Sequence, residues 1–205
     1  MMLPVFVKGI VLGFVIAAPV GPIGILCARR TLTHGRRAGL ASGMGAATAD
    51  AIYGFIAAFG LTVIADFIAG HQFWLRLLGG SALTVIGLRS FFSRPVQKND
   101  LPRTARHYAG LYSSTFFLTL TNPMTIFSFA AVFAGFGLAG TKGSLQTAGI
   151  LIAGVFLGSA LWWLVLVGIF SFYRKRFSSR ELGWVNRVAG VIIGGSGLLA
   201  LLSLL

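Results

Sequence analysis

The chain has 205 residues, 56% of them hydrophobic and only 10% charged, whereas soluble domains carry about a quarter charged residues. Its 17 basic residues outweigh 4 acidic ones, for a formal net charge of +13, but the bases sit in short gaps between apolar runs, and no polar segment is long enough to fold into a nucleic-acid reader. The single cysteine, Cys27, excludes an intrachain disulfide or a dithiol relay.

The apolar runs reach roughly 18 residues or more, which at about 1.5 Å rise each matches a hydrocarbon core of about 30 Å. They predict an all-α membrane protein, one transmembrane domain with spans at about 5–28, 38–65, 73–92, 112–137, 146–173 and 184–205. Met1-Met2-Leu3-Pro4 lacks the basic start of a secretory signal, so the first run reads as a retained span. Pro19-Val20-Gly21-Pro22-Ile23 interrupts it, and Thr33-His34-Gly35-Arg36-Arg37 separates it from the second. The second span is rich in small residues and contains Asp50. The longest polar stretch, Ser93 to His107 with Pro95 and Pro102, predicts a cytoplasmic linker over about 93–111. Thr121-Asn122-Pro123-Met124-Thr125 interrupts the fourth span, Gly140 to Ser144 forms a turn, and Arg174-Lys175-Arg176 precedes the sixth.

The bases alternate from gap to gap. Arg29, Arg30, Arg36 and Arg37 mark the first gap, Arg89 to Arg106 the third, and Arg174 to Arg187 the fifth. The second has Arg76 and the fourth Lys142. By the positive-inside rule the odd gaps are cytoplasmic, beside anionic lipid, and six spans then put both termini outside.

The halves, about 1–92 and 112–205, resemble each other. Each has a proline-interrupted span and then a glycine-rich one, with Gly39, Gly43 and Gly54 in the first half and Gly149, Gly154 and Gly158 in the second. Each ends alike, with Arg76-Leu77-Leu78-Gly79 against Arg187-Val188-Ala189-Gly190. Three spans per half reverse the orientation of the second copy. Inverted repeats with broken helices at matching positions point to a transporter's central site.

Asp50 is the only acid well inside an apolar span. An aspartate at the bilayer centre costs about 2.5–3.5 kcal/mol, so it should face the bundle interior or water. Gly43, Ala47, Asp50 and Gly54 recur on one helical face, flat enough for another helix to approach. Asp50 either binds an ammonium group or coupling proton, or is a structural acid satisfied by a neighbouring hydroxyl. Thr48 lies on a different face. At Pro19, Gly21 and Pro22 the break frees carbonyls, and a helix restarting after it would aim N–H groups at an anionic ligand group. The same break also reads as a simple kink. Asn122-Pro123, with Thr121 and Thr125, adds hydrogen-bonding groups in the other half. Trp162, on the Gly158 face, is a further candidate for lining the pocket. His34, His71 and His107 share no metal-ligand spacing, and the spans carry neither an enzyme's nucleophile–base pair nor a channel's charge rings. No cofactor is expected.

With these features in this order, the chain resembles the lysine exporter (LysE/RhtB) family of bacterial inner-membrane amino-acid exporters. The resemblance rests on Pro19-Val20-Gly21-Pro22, His34-Gly35-Arg36-Arg37-Ala38-Gly39 leading to Gly43 and Asp50, Leu120-Thr121-Asn122-Pro123, and the Gly79 and Gly190 spans. It implies efflux driven by the proton gradient, with Gly21, Pro22, Asp50, Asn122 and Pro123 at the site. Many members have an uninterrupted Pro-Gly-Pro followed by a polar residue, and a lysine after the Asn-Pro pair. Here Val20 intervenes, Ile23 follows, and Met124 replaces the lysine, which favours a neutral or apolar amino acid. Two other readings stand beside this one: a cation or metal exporter, disfavoured by a lone intramembrane acid, and a non-transporting assembly subunit. The small-residue faces would serve a homodimer as well as the fold.

Overall fold

The structure is a computed structural model and describes residues 2–19, 21–59, 70–93, 104–122, 125, 128–129 and 145–204. Val20, Pro123, the end of the second expected span, residues 94–103 of the linker and most of the latter half of the fourth expected span lie outside these. The described chain is helical: α1 (Met2–Ala17), α2 (Pro22–His34), α3 (Arg36–Phe59), α4 (Gln72–Phe91), α5 (Ala105–Leu120), α6 (Leu145–Tyr173), a 3-10 turn (Arg174–Arg176) and α7 (Ser179–Leu202).

The first expected span is two helices. Pro22 cannot donate a backbone N–H, so α2 starts afresh there, and it is bent by 82° from α1. α2 does not stop at residue 28 but runs on through Arg29 and Arg30 to His34. Gly35, at φ 95°, is all that separates it from α3, a conformation that favours glycine. The expected linker is also shorter. Thr104 accepts a hydrogen bond from the His107 amide at 3.3 Å, and α5 begins at Ala105. The last helix begins before residue 184 because Ser178 and Glu181 form a capping box.

Helix directions follow from the contacts. α3 and α6 are antiparallel: a Cβ on Gly43 would meet Trp163, Asp50 bonds Ser159, and a Cβ on Gly54 would meet Val155. α4 and α7 are antiparallel too, with Gly80 opposite Gly197 and Gly87 opposite Gly194. α1 runs parallel to α6, its Phe6 and Ile10 carbonyls facing Gly154 and Gly158, and α5 runs parallel to α3, with Gly45 against Tyr112 and Tyr53 donating to the Leu120 carbonyl. Exchanging the two halves of the chain turns the α1–α6 pair into α5–α3 and leaves α3–α6 and α4–α7 unchanged. α2 packs on α3, α6 and α7, and its Leu26 and Cys27 join Ala46, Ala47, Trp163 and Val167 in the core.

The three basic gaps meet at one end. Arg29 donates to Asn186 and Ser93, Arg174 donates to the carbonyls of Leu32 and Thr33, and the rings of His34 and His107 lie 6.1 Å apart. At the other end Arg76 reaches Ser203. Among the described residues, two helices are long and apolar enough to cross a membrane alone, Gln146–Tyr173 and Arg180–Leu202; α1 and α2 meet that test together as a bent pair.

Candidate functional site

Where α1 ends and α2 begins, the broken chain borders a cavity of about 200 Å³. Pro19, Gly21, Pro22 and Gly24 form one wall, Asp50 on α3 and Trp163 on α6 another, and Thr119, Asn122, Thr125 and Ser128 a third. Both interruptions named by the sequence therefore border one space, with Asp50 between them. At about 200 Å³ it is smaller than the 300–1,000 Å³ typical of drug-sized ligands.

Asp50 is 3% exposed and, among the described residues, is the sole charged side chain lining the cavity. Its Oδ2 accepts from Ser159 Oγ at 2.6 Å, and Ser159 Oγ in turn accepts from Trp163 Nε1 at 3.2 Å. Ser159 and Trp163 are four residues apart on α6, so one helical face presents the whole relay. No described side chain caps the start of α2, so its first turn meets the cavity with the amides of Ile23 and Gly24 and the positive end of the helix dipole. Opposite, Asn122 is 6% exposed and donates to Thr125 Oγ1 at 3.0 Å. The cavity thus has an acid on one side, a helix start on another, and amide and hydroxyl groups on the third.

Three expected site residues lie elsewhere. Trp162 does not line this cavity; it packs edge-to-face on Phe14, ring centroids 5.4 Å apart. One residue along a helix is a turn of about 100°, and Trp163 takes the pocket face. Gly43 is a packing position, where a Cβ would come within 2.6 Å of Trp163 Cβ. Thr121 returns its hydroxyl to the Phe117 carbonyl and abuts Gly79 of α4. Pro123 lies outside the described residues. Thr48 is engaged with Tyr112 at 2.8 Å, away from Asp50. Ser159 and Trp163 were missed by sequence reasoning, although Ser159 is the only hydroxyl between Thr147 and Ser171.

A larger groove of about 640 Å³ opens between α2, α6 and α7. Its walls are apolar except for Arg29 and Glu181, and Glu181 is taken up by Ser178. Among the described residues it offers no converging polar groups for a small polar solute.

Broken apolar helices around a small cavity with a buried carboxyl group describe a membrane protein of the transporter kind. The model of the LysE type translocator family matches residues 14–204, and the chain belongs to that family. It is similar to the "Putative amino acid efflux protein YcgF" of Bacillus subtilis, with 27% identity over 91% of this chain and 90% of that one. It is also similar to the uncharacterized membrane proteins YrhP of Bacillus subtilis, with 25% identity over 85% and 87% of the two chains, and YahN of Escherichia coli, with 29% identity over 80% and 72%. No solved structure matches the chain.

Proposed function

We propose that this translocator exports a small neutral amino acid across the bacterial cytoplasmic membrane, driven by the proton gradient. The observation that carries the reading is the cavity itself: Asp50 faces the uncapped start of α2 across a space of about 200 Å³. An amino acid's ammonium group would lie at Asp50 and its carboxylate at the α2 amides. A carboxyl group in a site alternately open to the two sides can carry a proton one way and release it when the ammonium group arrives. The description of the Bacillus relative as an efflux protein supports the direction and the substrate class.

Six spans in two inverted three-helix units would supply the alternation. The support is that the α1–α6 and α3–α5 pairs run parallel and exchange when the halves are exchanged, while α3–α6 and α4–α7 are antiparallel and map onto themselves. The Asn122 segment would then be the counterpart of the Pro19–Pro22 break.

The test is uptake into inverted vesicles under an imposed proton gradient, screened over the amino acids. At least one neutral amino acid should accumulate, and Asp50→Asn should abolish that while the protein still purifies as one species, since Asn keeps an acceptor for Ser159. Unchanged uptake in the Asn variant would remove Asp50 from the mechanism; no gradient-dependent uptake of any amino acid would remove the function.

A further inference from the structure

Among the described side chains Arg30 is the only basic one that is buried, 8% exposed. Its partners are all neutral: Nη1 donates to Ser42 Oγ at 2.9 Å, to the Leu111 carbonyl at 3.0 Å and to Thr115 Oγ1 at 2.7 Å, and Nη2 donates to Ser114 Oγ at 2.9 Å. A buried cation without a counter-charge costs far more than one facing a carboxylate. A guanidinium binds a carboxylate through two parallel, charge-assisted bonds, each about twice as strong as a neutral one. Hydroxyl partners can be exchanged for such a group.

The position of Arg30 gives that exchange a consequence. Ile23 and Gly24 of α2 line the cavity, and Arg30 follows on the same helix at about 10 Å along its axis. On α5, Thr119 lines the cavity and donates to the Thr115 carbonyl at 2.9 Å, so the Thr119–Thr115 face leads from the cavity to Arg30. The four bonds of Arg30 join α2 to α3 and α5. The bonds of Arg29 and Arg174 join α2 instead to Asn186 of α7, Ser93 and the 3-10 turn. α2 therefore has two sets of fastenings, with the Pro19–Pro22 break at one end and Gly35 at the other.

We propose that Arg30 is a carboxylate-reading latch on the path between the basic end of the molecule and the cavity. The carboxylate of the solute takes the guanidinium from Ser42, Ser114 and Thr115, α2 parts from α3 and α5 while staying with α7, and the solute passes along the Thr115–Thr119 face. The proposal rests on the amino-acid reading of the cavity and adds to it a group that selects for the carboxylate before the cavity is reached.

Cys27 supplies the measurement. It is the chain's single cysteine, lies one turn before Arg30, and is 0% exposed. In proteoliposomes of the wild-type protein, a membrane-permeant maleimide should label it slowly. A transported amino acid should speed labelling by about tenfold or more, following the open population, whereas its carboxamide should not. Arg30→Gln should label fast with or without solute, and Arg30→Lys, which keeps the charge but not the fork, should respond more weakly than wild type. Equal acceleration by acid and amide, or labelling of Arg30→Gln as slow as wild type, overturns the latch. If Arg30→Gln aggregates on size exclusion, the acid–amide comparison in wild type and Arg30→Lys decides alone. Transport with unchanged Cys27 labelling overturns the latch and leaves the transport reading standing; transport of no amino acid overturns both.

Discussion

Among the described residues the carboxyl group of Asp50 meets one hydrogen-bond donor, Ser159, and that donor is itself held by Trp163. A buried carboxyl group depends on the donors it has, and each one removed should be felt in transport. Bonds to charged groups contribute about 1.5–3 kcal/mol, and neutral ones about 0.5–1.5 kcal/mol. Ser159→Ala should therefore lower the transport rate by roughly 10- to 100-fold. Trp163→Phe keeps the ring but removes the N–H, and should cost no more than about tenfold. Initial rates in vesicles at matched protein levels check the order. A Trp163→Phe loss larger than that of Ser159→Ala would mean that the tryptophan acts on the solute directly rather than through the serine.

At the scale of elements, glycines decide how closely the helices approach. Gly9 and Gly13 of α1 face Gly154 and Val155 of α6, and Ile10 faces Gly158, backbone to backbone: a Cβ on Gly154 would stand 2.6 Å from the Phe6 carbonyl oxygen, and one on Gly158 would overlap the Ile10 carbonyl. Gly168, on the same helix, has open space around it. Gly158→Ala should thus destabilise by about 1–3 kcal/mol through overpacking, whereas Gly168→Ala should be neutral or slightly stabilising, because alanine is favoured over glycine in helices by about 1 kcal/mol. Thermal unfolding in detergent, followed by circular dichroism, should show a lower midpoint for the first only; equal midpoints would mean that α1 and α6 are not in this contact. Much at this scale was legible in the sequence, since small residues at helical spacing marked the face of α3 that carries Gly43, Ala47 and Gly54. The end of α2 was not. Two adjacent arginines ordinarily end an apolar span, and what buries Arg30 here is a set of hydroxyls as far as 85 residues away, which no local pattern displays. Nor could one helix read alone reveal whether Trp162 or Trp163 meets the cavity, because that depends on the rotation of α6 against α3.

At the scale of the whole molecule, charge and packing bear on the same question from different directions. Alternation of the bases came from the sequence; that the basic gaps share one end comes from contacts between them, Arg29 with Ser93 and Asn186, and Arg174 with Leu32 and Thr33. Hydropathy alone credits only Gln146–Tyr173 and Arg180–Leu202 among the described helices, with α1 and α2 as a bent pair. α5 has only 16 residues, and α3 and α5 carry polar groups that bond inside the bundle, Ser42 and Thr115 to Arg30 and Thr48 to Tyr112. Such helices are held in a bilayer by their neighbours more than by their own apolarity. Sidedness separates the alternatives. With six spans and the basic end in the cytoplasm, alkaline phosphatase fused after Leu205 should be active and a fluorescent protein fused there dark, while a fluorescent protein inserted at Asn99, between Arg94 and Arg103, should glow. A fluorescent C-terminal fusion would put the end that carries Arg76 and Ser203 in the cytoplasm instead of the basic end. The antiparallel α3–α6 and α4–α7 pairs would still set the counterpart helices of the two halves in opposite directions, so what would fall is the assignment of the basic end to the cytoplasm.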